Sequence, residues 1–186
     1  RRQRQMCRRD SAIIEELNRL AEEKGLEIDA DVPRVVDVNI KDNNEQFKNR
    51  RVEKIYLAFV YGKFAPKEKE VEFTIVPDRE NPTRMKVKFL KGKKAITRIR
   101  VLKYCNNFSL VEVKPLTGRT HQIRLTLKYL GFPILGDFKY GMESELIERT
   151  ALHAYKLSFY HPGKNEKVEF TAPLPDDLKV LLGECL

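Results

Sequence analysis

Apolar and polar residues alternate along much of the chain, and the alternation predicts strands. Residues 54–61 (KIYLAFVY) form a nearly continuous apolar and aromatic run, the mark of a buried strand. Further strands are predicted near residues 71–76, 85–90, 96–104, 108–114, 152–160 and 167–171. Helical spacing appears in fewer places. Asp10 or Ser11 can cap a helix that carries Ile13, Ile14, Leu17 and Leu20 on one face and stops at Gly25. Residues 45–51 look like the end of another helix. Residues 121–130 are amphipathic and end at Gly131. A short helix is expected near 144–149, and Asp176 or Asp177 can start a last one. Mostly sequential strands with few helices predict an α+β fold with a mixed, largely antiparallel sheet and flanking helices.

Composition narrows what such a fold could do. The 186 residues suffice for one domain, or one plus a small appendage. The chain is 41% hydrophobic, enough to bury a core, and 34% charged. A net charge of +9 favours a polyanionic partner. No long apolar run or basic amphipathic helix is seen, so nucleic acid ranks above a membrane surface. Cys7, Cys105 and Cys185 are an odd number without metal-type spacing. With no signal peptide evident, they read as reduced thiols of a cytoplasmic protein. Nothing in the sequence calls for more than a monomer.

Charge is concentrated rather than spread. Arg1, Arg2, Arg4, Arg8 and Arg9 make a basic arm over residues 1–10, ahead of a domain expected to span 11–186. From Arg84 to Lys103 there are nine Lys/Arg and no Asp or Glu. Met85, Val87 and Phe89 alternate there with Arg84, Lys86 and Lys88, as in a strand with one buried and one cationic face. A phosphate backbone could lie along that face. A solubilising face, or an edge protected against aggregation, reads equally well.

Candidate chemistry gathers in residues 113–125, VKPLTGRTHQIRL. Pro115 and Gly118 force a turn between a predicted strand and a predicted helix. Thr117, Arg119, Thr120, His121, Gln122 and Arg124 crowd that junction, where helix-start N–H groups and two arginines attract anions. A solvated basic turn is the alternative. Other chemistries find little support. His121, His153 and His161 are too few and scattered for a zinc site. No P-loop, GxGxxG fingerprint or GxSxG elbow occurs. A cofactor-free mechanism built on a carboxylate remains. Such a carboxylate needs a cation to keep it ionised, because burial alone raises its pKa.

These motifs resemble those of the RluA-type pseudouridine synthases. Residues 114–137 (KPLTGRTHQIRLTLKYLGFPILGD) look like the family's third motif, and residues 53–64 (EKIYLAFVYGKF) like its tyrosine-bearing motif. Residues 151–162 (ALHAYKLSFYHP) and 170–177 (FTAPLPDD) resemble its C-terminal strands. The likeness covers roughly residues 45–186, in family order. It implies isomerisation of uridine to pseudouridine in structured RNA, ribosomal RNA first and transfer RNA second, with no cofactor and no metal. An aspartate would assist glycosidic cleavage, and the freed uracil would rotate and rejoin through carbon. The base would first be flipped out of its helix. Arg124 corresponds to the arginine that pairs with that aspartate and holds it ionised. Tyr56 corresponds to the tyrosine placed against the uracil; a core aromatic is its plain alternative. Lys54, Lys86, Lys88, Arg119, Thr120, His121 and Gln122 are the expected RNA contacts.

One part of the family pattern is missing. Its aspartate sits in an HRLD segment, and no HRLD occurs here. Residues 13–20 (IIEELNRL) resemble the preceding helix and residues 33–36 (PRVV) the approach, so Asp37 stands where the aspartate should be. Residues 44–51 (NEQFKNRR) resemble the next helix but follow too closely. Either residues are missing around 36–44 and Asp37 is the catalytic aspartate, or the chain is shortened there and Asp37 is a loop residue of an inactive RNA-binding module. Asp137 is the fallback carboxylate, although a turn-stabilising role after Gly136 is preferred. A basic scaffold without an RNA role is a weaker third reading.

Overall fold

Seven strands pair into one sheet in the computed structural model, which describes residues 52–65, 67–88, 92–161 and 166–185. All of these belong to one compact unit, Asn49–Leu186. The strands are β1 (Glu53–Tyr61), β2 (Glu68–Pro77), β3 (Met85–Lys88), β4 (Lys93–Tyr104), β5 (Phe108–Pro115), β6 (Leu152–Tyr160) and β7 (Lys167–Thr171). Two helices accompany them, α1 (Gln122–Tyr129) and α2 (Asp176–Gly183). The basic arm, the start of the domain at residue 11, the helices expected at 11–25 and 45–51, and Asp37 lie outside the described residues.

The sheet order is β3-β2-β4-β5-β1-β6-β7. Every ladder is antiparallel, so the sheet expected to be mixed but largely antiparallel is wholly antiparallel among the described strands. Short connections such as residues 105–107 between β4 and β5 favour that pairing, because parallel neighbours need long crossovers. β1 lies inside the sheet, which explains its unbroken run. Leu57, Ala58, Phe59 and Val60 are all buried, with neighbours on both faces. In β4 the alternation is kept: Ala95, Thr97 and Ile99 are buried, and Arg98 and Arg100 are exposed.

Helix α1 joins two apolar clusters. Ile123 and Leu127, one turn apart on one face, pack into the main core with β1, β5 and Leu178 and Leu181 of α2. Leu125 faces a smaller cluster with Phe73, Ile75, Ala95 and Tyr140. Gly131 ends α1 as predicted. At φ 86° its N–H bonds the Lys128 carbonyl while the Phe132 N–H bonds that of Leu127, a paired closure that favours glycine.

Two expectations are corrected. Residues 144–149 form turns rather than a helix. Met142 and Leu146 are exposed there and only Ile147 is buried, so the segment has no apolar stripe to dock. Cys105 and Cys185 are not free thiols but a disulfide that ties the β4–β5 turn to the residues after α2. The two positions are 80 residues apart, and sequence spacing carried no sign of their meeting. Among the described residues no helix is long and apolar enough to cross a membrane.

Candidate functional site

The turn between β5 and α1 is stitched to β4 before it carries any chemistry. Leu116 N–H donates to the Ile96 carbonyl, and Ile96 N–H donates to Thr117 Oγ1, each at 2.9 Å. Gln122 is buried, and its amide is saturated from within. Its Oε1 accepts from Thr117 Oγ1 and the Arg119 N–H, and its Nε2 donates to the Ile96 carbonyl and Thr97 Oγ1. Two acceptor and two donor positions are all that an amide offers. Gln122 therefore shapes the loop from below, and its expected place as a direct RNA contact narrows to that. Arg119 is also partly committed, with Nε on the Lys94 carbonyl at 2.9 Å. Thr120 is exposed beside it.

Arg124, in the first turn of α1, meets Asp137 from the turn after Gly136. Nε donates to Oδ2 at 2.8 Å and Nη2 to Oδ1, a bidentate pair. The Asp137 side chain is 1% exposed and that of Arg124 18%. Oδ1 of Asp137 also accepts the N–H groups of Lys139 and Tyr140, which is the turn-forming role preferred from sequence. Burial pushes the Asp137 carboxyl up. The Arg124 hydrogen bond and the Tyr140 and Lys139 N–H groups outweigh it and hold the group below the usual carboxylate range. The guanidinium has five N–H donors, of which this pair uses two, so the geometry leaves chemistry for a second carboxylate. The Tyr140 ring lies 5.0 Å from the Arg124 guanidinium carbon and adds a cation–π contact.

Gly136 makes that turn possible. It sits at φ 65°, and a Cβ there would come within 2.3 Å of the Arg149 carbonyl oxygen. His121, at the start of α1, also has a left-handed backbone, φ 55°. Its Nδ1 is 2.7 Å from the Tyr140 hydroxyl. Burial lowers the imidazole pKa, the charges of Lys139 and Arg124 add to this, and Asp137 opposes it.

Tyr56 reaches the same side of the sheet by register. Ile99 pairs with Val113, and Val113 with Tyr56, so these three share a face. Thr97 lies two residues from Ile99 on that face, and it contacts Thr126 and Gln122 of α1. Tyr56 and the helix that carries Arg124 thus lie over one face, with Tyr56 half-buried against the main core. Lys54 is half-buried on β1.

The basic run reads differently in three dimensions. Strand β2 (EKEVEFTIVP) lies between β3 and β4 and supplies carboxylates to β4, while Asp78, just after β2, serves β3. Glu70 pairs with Arg98 at 2.8 Å and Glu72 with Lys94 at 2.7 Å. Lys86 pairs with Asp78 at 3.0 Å, and Arg100 with Glu112 of β5 at 3.0 Å. The basic run is therefore partly neutralised; on the cationic face expected over residues 84–90, Lys86 is paired and Lys88 stays exposed at the end of β3. Beside the Asp137 turn, Gly136, Phe138, Glu143, Ser144, Ile147 and Glu148 line a half-open pocket of about 270 Å³. Its two carboxylates make it a poor seat for a polyanion.

An α+β fold with an arginine held in a basic strand–turn–helix junction suits an anion chemically, and known proteins narrow the class. Residues 39–129 match the family model described as RNA pseudouridylate synthase. The chain is 39% identical over 140 residues to the ribosomal large subunit pseudouridine synthase D of Borreliella burgdorferi, covering 74% of this chain and 43% of that protein. It is 41% identical over 143 residues to the dual-specificity RNA pseudouridine synthase RluA of Pasteurella multocida, covering 75% and 64%. Among solved structures, human RNA pseudouridylate synthase domain containing 1 superposes with a TM-score of 0.63 at 32% identity, covering 71% and 58%. The chain belongs to the RluA-type pseudouridine synthase family. It spans between about two fifths and two thirds of the length of these relatives.

Proposed function

We propose that this chain is an RNA pseudouridine synthase, an isomerase that converts uridine to pseudouridine in structured RNA, with ribosomal RNA as the first substrate to try and transfer RNA the second. The observation that carries the reading is Arg124. It stands at the HQIR position, is fixed by Asp137 and Tyr140, and lies on a helix over the same sheet face as Tyr56. In this reading Asp37 supplies the catalytic carboxylate, as the family resemblance implies. The C1′–N1 bond breaks, the uracil turns, and a C1′–C5 bond forms. The C5 proton leaves, with Tyr56 against the base, and N1 takes up a proton, so the reaction balances without a cofactor. The base is flipped out beforehand. Lys54, Lys88, Arg119, Thr120 and His121 serve the RNA backbone, with Lys86 shared with Asp78.

A monomer goes with this reading; the cytoplasmic location expected from free thiols loses that support, because Cys105 and Cys185 are bridged. The second reading, an inactive RNA-binding module, draws on the fact that among the described residues the carboxylate on Arg124 is Asp137. Tritium release from RNA carrying 5-tritiated uridine separates the two, because only turnover frees the C5 hydrogen. The expected result is release by the wild type, loss of it in Asp37→Ala, and RNA binding retained in both. Binding without release from either ribosomal or transfer RNA establishes the inactive module. Unchanged release by Asp37→Ala removes Asp37 from the mechanism.

A further inference from the structure

We propose that Tyr140 is a positioning residue that locks His121 in one neutral tautomer, with its N–H on Nε2, and pins the basic strand β3 to the helix that carries Arg124. Tyr140 is 5% exposed, and its hydroxyl has two neighbours from different elements. The Met85 backbone nitrogen, at the start of β3, is 2.8 Å away, and His121 Nδ1 is 2.7 Å away. The Met85 N–H can only donate, so the phenol oxygen accepts there. Among the described residues Nδ1 is the acceptor in contact with the phenol hydrogen, so satisfying this buried O–H needs an unprotonated Nδ1 and puts the ring hydrogen on Nε2.

Further geometry supports the lock. His121 holds a left-handed backbone, a costly conformation for a non-glycine residue that persists where its surroundings fix it. The same Tyr140 ring covers Arg124, and the Tyr140 backbone N–H bonds Asp137, so one residue contacts all three polar groups of the site. The groups facing the imidazole are Arg124 on its own helix, and Asp137, Lys139 and Tyr140 on the turn. From the β2–β3 hairpin comes the Met85 N–H, while Lys86 is engaged by Asp78. Protonating Nδ1 would break the Tyr140 bond and add a third cation beside Arg124 and Lys139. The ring is thereby kept as a neutral donor, suited to an RNA phosphate or carbonyl oxygen at constant strength across the physiological range. The assignment of that acceptor to RNA rests on the function proposed above; the tautomer does not.

The test is ring-nitrogen NMR of the full chain labelled with ¹⁵N-histidine, with His121 assigned by its loss in His121→Gln. The wild type should show an unprotonated Nδ1 and a protonated Nε2, titrating only below the ordinary value of 6.5. In Tyr140→Phe the midpoint should rise toward 6.5. RNA affinity should then fall about tenfold at pH 8, the worth of one good hydrogen bond. It should recover as pH drops through that midpoint and the freed imidazole gains charge, whereas the wild type stays flat. An Nδ1–H tautomer in the wild type, or a wild-type midpoint matching that of Tyr140→Phe, overturns the proposal. The wild-type spectrum decides the tautomer even if the variant does not fold. Absence of pseudouridine formation would sink the proposed activity while leaving the spectral result standing.

Discussion

Two bidentate arginine–aspartate pairs of similar geometry sit at different depths, so burial can be tested with geometry held nearly constant. Arg124 Nε donates to Asp137 Oδ2 at 2.8 Å, and Arg149 Nε donates to Asp177 Oδ2 at 2.6 Å, each with a second bond from Nη2 to Oδ1. Asp137 is 1% exposed against 41% for Asp177, and the arginines are 18% and 35% exposed. In Asp137→Asn a largely buried guanidinium loses its counter-charge, and two turn N–H groups lose a charged acceptor. Breaking a buried pair costs about 3–5 kcal/mol. The Tyr140 ring and residual solvent at Arg124 place this one at the low end, about 3 kcal/mol, or roughly 6–12 °C in Tm for a chain of this size. Asp177→Asn should cost about 1 kcal/mol at most, since exposed pairs are screened. The chain has no tryptophan, so urea and thermal unfolding are followed by far-ultraviolet circular dichroism. A pH series adds a check. The Asp137 pKa is lowered in the folded state, so its contribution is complete above the unfolded value near 3.8 and fades as pH falls through the folded one. The gap between wild type and Asp137→Asn should therefore narrow in acid. Equal losses in the two variants, or a gap that widens in acid, would refute the burial argument.

Other outcomes follow from single contacts. Gly136→Ala should destabilise by about 2–5 kcal/mol, combining left-handed strain with a clash on the Arg149 carbonyl; a Tm within a degree of wild type contradicts the turn geometry. Lys114 first and Lys167 second depress the Glu53 carboxyl to about 2. Glu53→Gln should thus be slightly less stable than wild type at pH 7, by under about 1 kcal/mol for so exposed a pair, with the difference gone near pH 2. A pH-independent difference would point elsewhere. Reduction of the Cys105–Cys185 bridge, which closes an 80-residue separation, should lower stability by about 4.5 kcal/mol on the chain-entropy estimate. Cys105→Ser should show the reduced Tm with or without reductant. A wild-type Tm indifferent to reductant would mean that the bridge does not stabilise the fold.

What the sequence determined by itself is what short-range periodicity encodes. All seven strands, α1, its Gly131 stop and α2 were legible, because period two or 3.6 and a glycine past a helix end are local properties. The family motifs likewise marked Arg124 and Tyr56 without any geometry. Only the tertiary structure decided what these residues face. Gln122 read as an RNA contact because it is polar in a basic turn, yet its amide is consumed by β4 and the turn itself. The run from Arg84 to Lys103 read as nine Lys/Arg without an acidic residue, with a cationic face on residues 84–90. Insertion of β2 between β3 and β4 then set Glu70 and Glu72 against Arg98 and Lys94. Arg124 and Asp137 are 13 residues apart, Tyr140 and Met85 are 55 apart, and the bridged cysteines 80 apart. Such pairings depend on which strands are neighbours and how loops close. The free energy of those choices is spread over the whole core and leaves no local pattern to read.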